Sequence, residues 1–426
     1  MSNDTAAQQR PAKQPAAAGR IGVCAPLGFR AGAAAASIRG AQSDAKSDAK
    51  SDRLDIALVL SDHPAAATGV FTRNVVKAAP VVISELTLRR NQPMRAVVLN
   101  AGNANACTGA QGLKDALVMC KTTAEAVELD PTDILVCSTG VIGRPLPMDR
   151  VVSGIHAAAT TLGSDGAPAA DAIMTTDTRR KTAVAEFQVG ERTYTVGGMA
   201  KGSGMIHPDM ATLLGVITTD APIAEGKQLA PMLRGAVEDT FNCVTVDGDT
   251  STNDAVLLLA NGAAGGDAFD PTSEAMGKLA GAIHTVCLSL AEQVVADGEG
   301  ATKYFQVRVG GAPDTAGARI AARTVAASPL VKTAIHGNDP NWGRIVAALG
   351  RSGIRFALDR CRVTIGGTDV YLRGVPQQLT PAEAAALFAD SPIVIDVDLG
   401  VGEASGRAWG CDLSADYVHI NADYTT

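Results

Sequence analysis

Short apolar runs and stretches of helical periodicity follow one another along most of the chain. Four runs have the length and the β-branched content of buried strands, at residues 54–61, 80–86, 94–102 and 133–140. Helical patterns predict helices at residues 112–129, 273–300, 339–350 and 380–389. Apolar residues at a spacing of three to four indicate the first, Gly298 is a plausible end of the second, and Pro340 and Thr380–Pro381 mark the starts of the last two. The order lacks the regular alternation of a doubly wound sheet. We therefore predict a layered α/β fold in which strands pack between helices.

Two segments have low sequence complexity. Residues 1–20 are rich in Ala, Gln and Pro, and we expect them to form a disordered tail. Residues 41–53 repeat the sequence Ser-Asp-Ala-Lys, which predicts a solvated loop that takes no part in chemistry.

Composition and charge exclude several classes of partner. The 426 residues carry a formal net charge of −7, so no basic excess is available to neutralise the phosphates of nucleic acid or an anionic membrane. The eight cysteines and six histidines are dispersed without CxxC or HExxH patterns, and we predict neither a disulfide framework nor a metal site. No signal peptide and no apolar run of about 18 residues is present, which predicts a cytoplasmic protein.

The segment KGSGMIHPDMATLLGVITTDA, at residues 201–221, contains a candidate nucleophile. A threonine hydroxyl needs an adjacent base to react at neutral pH, and the α-amino group of an N-terminal threonine, with a pKa near 8, can be that base. Thr212 could create such an N-terminus by attacking the carbonyl of the small residue Ala211, after which water resolves the ester. Local spacing alone favours the plainer interpretation, in which Thr212 is an ordinary residue at the start of a strand.

A second segment, CSTGVIGRPL at residues 137–146, follows an apolar run and turns through Gly140 and Gly143. Its hydroxyl and backbone N–H groups could form an oxyanion hole for a tetrahedral intermediate. A simple Ser/Thr/Gly turn is the plainer explanation of the pattern alone.

Four more polar segments are candidates for a site: MTTDT (174–178), DGDTSTNDA (247–255), ADGEGATK (296–303) and HINADYTT (419–426). The second of them is as readily explained by a capped helix start as by a substrate contact. In the third, Glu299 stands between two glycines at the end of the longest predicted helix. The last could fray, as chain ends usually do, or fold back into a pocket with Asn421 and Thr426.

Taken together, these segments resemble the glutamate N-acetyltransferase (ornithine acetyltransferase) family of arginine biosynthesis, whose members are self-processing enzymes with a threonine nucleophile. GNDPNWGRI (337–345) and AWGCDL (408–413) extend the similarity, which covers about residues 21–426. Each motif is weak by itself, but their shared order along the chain makes the resemblance specific.

The resemblance implies an α/β sandwich of the self-processing N-terminal-nucleophile type. It implies a cut between Ala211 and Thr212 that yields an α chain, residues 21–211 after the tail, and a β chain, residues 212–426. Two copies of each chain would form a heterotetramer.

The resemblance also implies a role for each matched residue. Thr212 would be the nucleophile, and Thr139 and Gly140 would stabilise the oxyanion. The expected substrate contacts are Thr175, Lys201, Thr212, Glu299, Asn421 and Thr426. Lys201 can face an α-carboxylate, Glu299 the δ-ammonium of ornithine, and the last two can supply neutral hydrogen bonds. The match leaves open whether Thr175 or Thr176 is the ligand, and His207 is expected to be a turn residue rather than a general base.

The implied reaction moves an acetyl group from N2-acetylornithine to Thr212 and then to glutamate, without a metal or nucleotide cofactor. Some family members also use acetyl-CoA, and the motifs leave this second activity open. A related self-cleaving N-terminal-nucleophile aminopeptidase or amidase is the alternative, but Lys201, Glu299 and the C-terminal Asn and Thr favour amino-acid recognition. A processed but inactive binding protein is a third class, and the intact Thr212 with Thr139 and Gly140 argues against it.

Overall fold

The computed structural model describes residues 20–39, 52–207 and 213–423. Its strands are β1 (Phe29–Ala34), β2 (Ile56–Phe71), β3 (Met94–Asn103), β4 (Ile134–Val141), β5 (Lys181–Val189), β6 (Arg192–Lys201), β7 (Leu214–Thr219), β8 (Val244–Thr245), β9 (Ala255–Ala260), β10 (Tyr304–Ala312), β11 (Arg362–Ile365), β12 (Thr368–Leu372), β13 (Val375–Pro376), β14 (Ile393–Asp398) and β15 (Ala404–Cys411). Its helices are α1 (Ala79–Arg89), α2 (Gly109–Val127), α3 (Met148–Thr160), α4 (Ala167–Ala172), α5 (Gly226–Asp239), α6 (Glu274–Ala296), α7 (Thr315–Ala326), α8 (Pro329–His336), α9 (Trp342–Gly350), α10 (Pro381–Ala386) and α11 (Ala415–Asp423). The predicted tail up to residue 19 and most of the predicted loop at 41–53 lie outside the described residues.

The first sheet runs in the spatial order β4-β3-β2-β9-β7-β6-β5, with β1 paired to β2. Strand β2 is long enough to join two parts of this sheet, because its first half pairs with β1 and β3 and its second half pairs with β9. A shift of register between Leu60 and Ala65 separates the two halves. Strands β9 and β7, which come after residue 212, lie side by side in this sheet between β2 and β6, which come before it.

Helices pack against both halves of the first sheet. Helices α5 and α6 pack with β6, β7 and β9, whereas α2 and α3 pack against β2, β3 and β4. Residues of both halves that face away from these helices form a shared apolar cluster, which includes Val59, Val97 and Leu257. Helix α6 begins at the N-cap Ser273, whose side chain accepts a hydrogen bond from the Met276 N–H. By length and composition alone α6 could cross a membrane, but its apolar residues Leu279, Ile283 and Leu290 lie in the core against this sheet.

The second sheet runs in the order β13-β12-β11-β14-β10-β15-β8. Helices α7, α8 and α9 bury one of its faces around Phe305 and Ile395. Trp409 of β15 is fully buried in the core of the first sheet rather than in that of the second. The two sheets therefore share apolar contacts along β15, and this contact region lies next to the end of α6.

The layered α/β prediction is confirmed. The runs predicted as strands at 54–61, 94–102 and 133–140 begin or form β2, β3 and β4, and the predicted helices at 112–129, 273–300 and 380–389 correspond to α2, α6 and α10. The helix predicted at 339–350 begins only at Trp342, because Asn341 caps it and Pro340 precedes the cap.

The strand predicted at residues 80–86 is wrong, because this segment lies within helix α1. Pro80 occupies the first turn of α1, where its missing N–H costs nothing. Pro80, Val81 and Ser84 are buried with helical spacing, and packing of this face outweighs the β propensity of the run PVVI. The capped helix start considered at 247–255 is also wrong, since this segment leads directly into strand β9.

Candidate active site

A single cavity gathers the predicted site residues that the structure describes. Its lining includes Thr139, Gly140, Thr175, Lys201, Glu299 and Asn421, which are spread over most of the sequence. Ala211, Thr212 and Thr426 lie outside the described residues. A larger and more open cleft borders the second sheet, but none of the predicted site residues lines it.

The predicted oxyanion turn lies at the end of β4. Strand β4 runs parallel to β3, and Gly140 pairs with Gly102 across the two strands. Gly140 has a φ of +132°, and a Cβ atom built on it would lie 2.2 Å from the carbonyl carbon of Gly102. Glycine at this position therefore lets the two backbones approach each other and turns the chain so that Thr139 and Gly140 border the cavity.

Lys201 and Thr175 lie next to each other on one side of the cavity. Lys201 is the last residue of β6, and its Nζ donates to the Thr175 Oγ1 at 3.4 Å. Thr175 is itself held by its backbone, since its N–H donates to Asp177 at 2.8 Å and its carbonyl accepts from Arg39 at 3.1 Å. Thr176 lines the same cavity. The geometry thus places both candidate threonines at the cavity.

The pKa of the Lys201 ammonium is lowered, chiefly because burial disfavours its charged form. The carboxylates of Asp177 and Asp254 oppose this shift, while the cations of Arg39 and Lys181 add to it. Burial raises the pKa of the Asp177 carboxyl, but the neighbouring cations Lys181 and Lys201 lower it by more. The pKa of Asp177 therefore lies below its usual range. Lys201 therefore presents a desolvated amine at the cavity, and an anionic group of a ligand would stabilise its charged form.

Glu299 supplies a carboxylate to the same cavity. It follows the end of α6, where its N–H donates to the Ser203 carbonyl at 2.9 Å. Its Oε2 accepts a hydrogen bond from the Asn421 Nδ2 of helix α11 at 2.7 Å. A Cβ atom on Gly204 would lie within 2.5 Å of this carboxylate, so the absence of a side chain there makes room for Glu299.

The chain that leads up to Thr212 borders the cavity. Lys201 pairs with Leu214, so the segment that contains Thr212 connects the adjacent ends of β6 and β7. On the N-terminal side, Met205 lines the cavity and donates its N–H to Asp247 at 2.5 Å. On the C-terminal side, the carbonyl of Leu213, which follows Thr212 in sequence, accepts from the Ala255 N–H at 3.1 Å.

For the segment that contains residues 251–253, the sequence left open a capped helix start or a substrate contact. Ser251, Thr252 and Asn253 line the cavity, and the Asn253 Nδ2 donates to the Ser138 carbonyl at 2.7 Å beside the oxyanion turn. The Thr252 hydroxyl is buried and has no hydrogen-bond partner among the described residues. The polar sequence DGDTSTNDA was the available signal, but helix capping and substrate binding use the same residue types.

The arrangement suits a small zwitterionic ligand. It combines a buried cation, a buried carboxylate, several hydroxyl groups and a glycine turn within one cavity. Throughout residues 20–39, 52–207 and 213–423, no group of three His, Cys, Asp or Glu side chains is arranged to hold a metal ion.

Comparison with known proteins identifies the family. The model of the ArgJ family matches residues 38–426. The chain belongs to the ArgJ family. The match confirms the resemblance drawn from the motifs, and the chain is an enzyme of this family.

Individual relatives are similar over nearly their whole length. The "Arginine biosynthesis bifunctional protein ArgJ" of Symbiobacterium thermophilum is 49% identical over 406 residues, which cover 95% of this chain and 98% of the relative. The ArgJ protein of the same description from Dehalococcoides mccartyi is 44% identical over 404 residues, which cover 95% and 97%. A crystal structure of ArgJ from Bacillus halodurans is 41% identical, with a TM-score of 0.47, and the match covers 49% of this chain and 98% of that chain.

The contact between Gly140 and Gly102 yields a test of the turn. Gly140→Ala would force a side chain into the Gly102 carbonyl group and is expected to lower the free energy of unfolding by about 2 kcal/mol or more, since strain and steric overlap add. Gly143→Ala is a matched control, because Gly143 also has a positive φ, +82°, but its Cβ would meet nothing within 4 Å. Chemical denaturation compares the two variants. Equal losses of stability would contradict the close approach of the backbones.

Proposed function

We propose that this protein transfers an acetyl group from N2-acetylornithine to L-glutamate through an acetyl ester on Thr212, and that it also makes N-acetylglutamate from acetyl-CoA. The observation that carries this proposal is the convergence of Lys201, Glu299, Asn421, Thr175 and the Thr139–Gly140 turn on one cavity. The naming of the relatives as bifunctional proteins of arginine biosynthesis supports both activities.

The first step of the proposed chemistry is self-cleavage. The Thr212 hydroxyl adds to the carbonyl carbon of Ala211, and the C–N bond then breaks to leave an ester and a free α-amino group on Thr212. Water hydrolyses the ester, which releases the Ala211 carboxylate and regenerates the hydroxyl. The new amino group then lies next to the hydroxyl that it has to deprotonate.

In the first half-reaction the Thr212 oxygen attacks the acetyl carbonyl of N2-acetylornithine, and the amino group of Thr212 accepts the hydroxyl proton. The Thr139 hydroxyl and the Gly140 N–H donate to the oxyanion of the tetrahedral intermediate. The proton passes to the leaving nitrogen, the C–N bond breaks, and ornithine departs. Lys201 holds the α-carboxylate during this step, and Glu299 holds the δ-ammonium.

In the second half-reaction the amine of glutamate attacks the acetyl ester. The Thr212 oxygen leaves and regains its proton, and N-acetylglutamate is released. One cavity serves both amino acids, because they share the α-carboxylate that pairs with Lys201. Asn421 and Thr426 offer neutral hydrogen bonds that tolerate either side chain.

The proposal includes the assembly and the location. An α chain that ends at Ala211 and a β chain that begins at Thr212 form one active unit, and two units form a heterotetramer. The protein acts in the cytoplasm on small molecules, without a metal or nucleotide cofactor.

Self-cleavage predicts a new N-terminus. Mass spectrometry of the purified protein should reveal two chains, of which the second begins at Thr212. Thr212→Ala should block both cutting and turnover because the hydroxyl is lost, while Thr212→Ser should retain part of each. A single uncut chain with acetyltransferase activity, or full activity of Thr212→Ala, would exclude Thr212 as the nucleophile.

Parallel assays of the intact protein test the substrates. We expect product from acetylornithine plus glutamate and also from acetyl-CoA plus glutamate. Product only with acetylornithine would reduce the proposal to the first activity. Release of acetate from acetylornithine at a rate that glutamate does not change would instead support the related amidase.

Lys201 predicts a pH dependence of substrate binding. Because its pKa lies below the ordinary value of 10.5, its charge and the affinity for an α-carboxylate should be lost at a lower pH than for an exposed lysine. KM for acetylornithine should thus rise with pH below 10.5. Lys201→Met should raise KM roughly ten- to a hundredfold at neutral pH, as expected for a hydrogen bond to a charged group. It should also remove this pH-dependent rise, and an unchanged profile in the variant would contradict the assignment.

A further inference from the structure

Behind the cavity lies a buried ion network that the proposed reaction does not use. Lys181, the first residue of β5, has a fully buried side chain, and its Nζ donates to Asp177 at 2.6 Å and to Asp297 at 2.5 Å. Both carboxylates are themselves buried. Lys181 is not among the described residues that line the cavity. Burying three ionised groups costs several kcal/mol per ion before pairing, so the network calls for an explanation.

Asp177 connects Lys181 to one side of the cavity. Its Oδ1 accepts from the Lys181 Nζ and also from the Gly202 N–H at 2.8 Å, and its Oδ2 accepts from the Thr175 N–H at 2.8 Å. Gly202 follows Lys201 directly. One carboxylate therefore fixes the backbone at both Thr175 and Lys201.

Asp297 connects Lys181 to the other side. Its carboxylate accepts from the Thr178 N–H at 3.0 Å and from the Thr178 hydroxyl. Its backbone carbonyl accepts from the Ser203 hydroxyl at 2.7 Å, and the Ser203 carbonyl accepts from the Glu299 N–H at 2.9 Å. The turn after α6, which contains Asp297 and Glu299, is thus tied to the segment after Lys201.

We propose that Lys181 is a positioning residue, which acts through Asp177 and Asp297 to hold Thr175, Lys201 and Glu299 at the spacing that the substrate requires. These three groups come from a loop, a strand end and a helix end, and Lys181 is the ion that joins their supports. A fully satisfied polar network in the protein interior rigidifies the groups that it joins. Substrate contacts lose their effect when they are displaced by about 1 Å.

The inference rests on the proposed function, because its main readout is substrate binding. In Lys181→Met the side chain keeps its length but loses its charge. We expect KM for acetylornithine and glutamate to rise about tenfold or more, with a much smaller change in kcat, because the displaced groups hold the substrate and do not form or break bonds.

A second readout reports on charge at the site. Lys201 is surrounded by the carboxylates of Asp177 and Asp254 and by the cations of Arg39 and Lys181. Loss of the Lys181 cation removes a repulsion and leaves more of the Asp177 charge to act on Lys201. The rise of KM with pH should therefore begin at a higher pH in Lys181→Met than in the wild-type protein.

Lys332→Met is the matched control. Lys332 is also buried, at 3% exposure, but its Nζ donates to the Cys411 carbonyl rather than to a carboxylate of the network. The control should lower the melting temperature without changing the KM values or their pH profile. Equal effects of the two variants on KM would show that Lys181 matters only for general stability, and would overturn the proposal.

Thr178→Val keeps the test decisive if Lys181→Met fails to fold. This variant removes one hydroxyl that donates a hydrogen bond to Asp297 and keeps the shape of the side chain. Thr178 is exposed and is not among the described residues that line the cavity. We expect a two- to fivefold rise in KM at nearly unchanged melting temperature and self-cleavage. Unchanged KM values in Thr178→Val, or in a folded Lys181→Met, would overturn the inference. Wild-type protein without acetyl transfer would instead refute the proposed function.

Discussion

The site depends on one physical requirement: each charged group that is buried away from water needs a partner that stabilises it. A cavity that offers one cation and one carboxylate to a zwitterion must keep both groups desolvated, and each would be costly without partners. Lys201 and Glu299 meet this requirement with Thr175 and Asn421 at the cavity. A second layer of ions around Lys181 lies behind them. The charged groups are thus arranged in two layers, one at the cavity and one buried behind it.

The fold brings the site together by ending several elements at one place. Strand β4 ends at the glycine turn, β6 ends at Lys201, β9 begins just after residues 251–253, and α6 ends just before Glu299. Helix α11 then adds Asn421 from the C-terminal part of the chain. Because each of these elements is fixed by its own core contacts, the residues at their ends have rigid supports.

The sequence predicted secondary structure correctly where a single pattern of apolar residues dominated a segment. Strands β2, β3 and β4 and helix α6 were predictable because a long apolar pattern fits only one period, whereas α1 was missed because its β-branched residues outweighed the signal of Pro80. The candidate site residues were proposed from the order of family motifs, since local spacing did not distinguish Thr212 from an ordinary strand residue. Lys181 could not be found in this way, because its partner Asp297 lies 116 residues further along the chain.

The first sheet combines strands from both sides of position 212, and this has a consequence for the two chains that the proposed cut would produce. Strand β7 is hydrogen-bonded to β6, and β9 to β2, so residues from both sides of position 212 form one continuous sheet. Neither product would contain the whole apolar core of this sheet, because residues from both sides of position 212 form it. The precursor must therefore assemble this sheet before it can cut itself, and the two products could separate only by unfolding. The break would make a new chain end without making a new domain boundary.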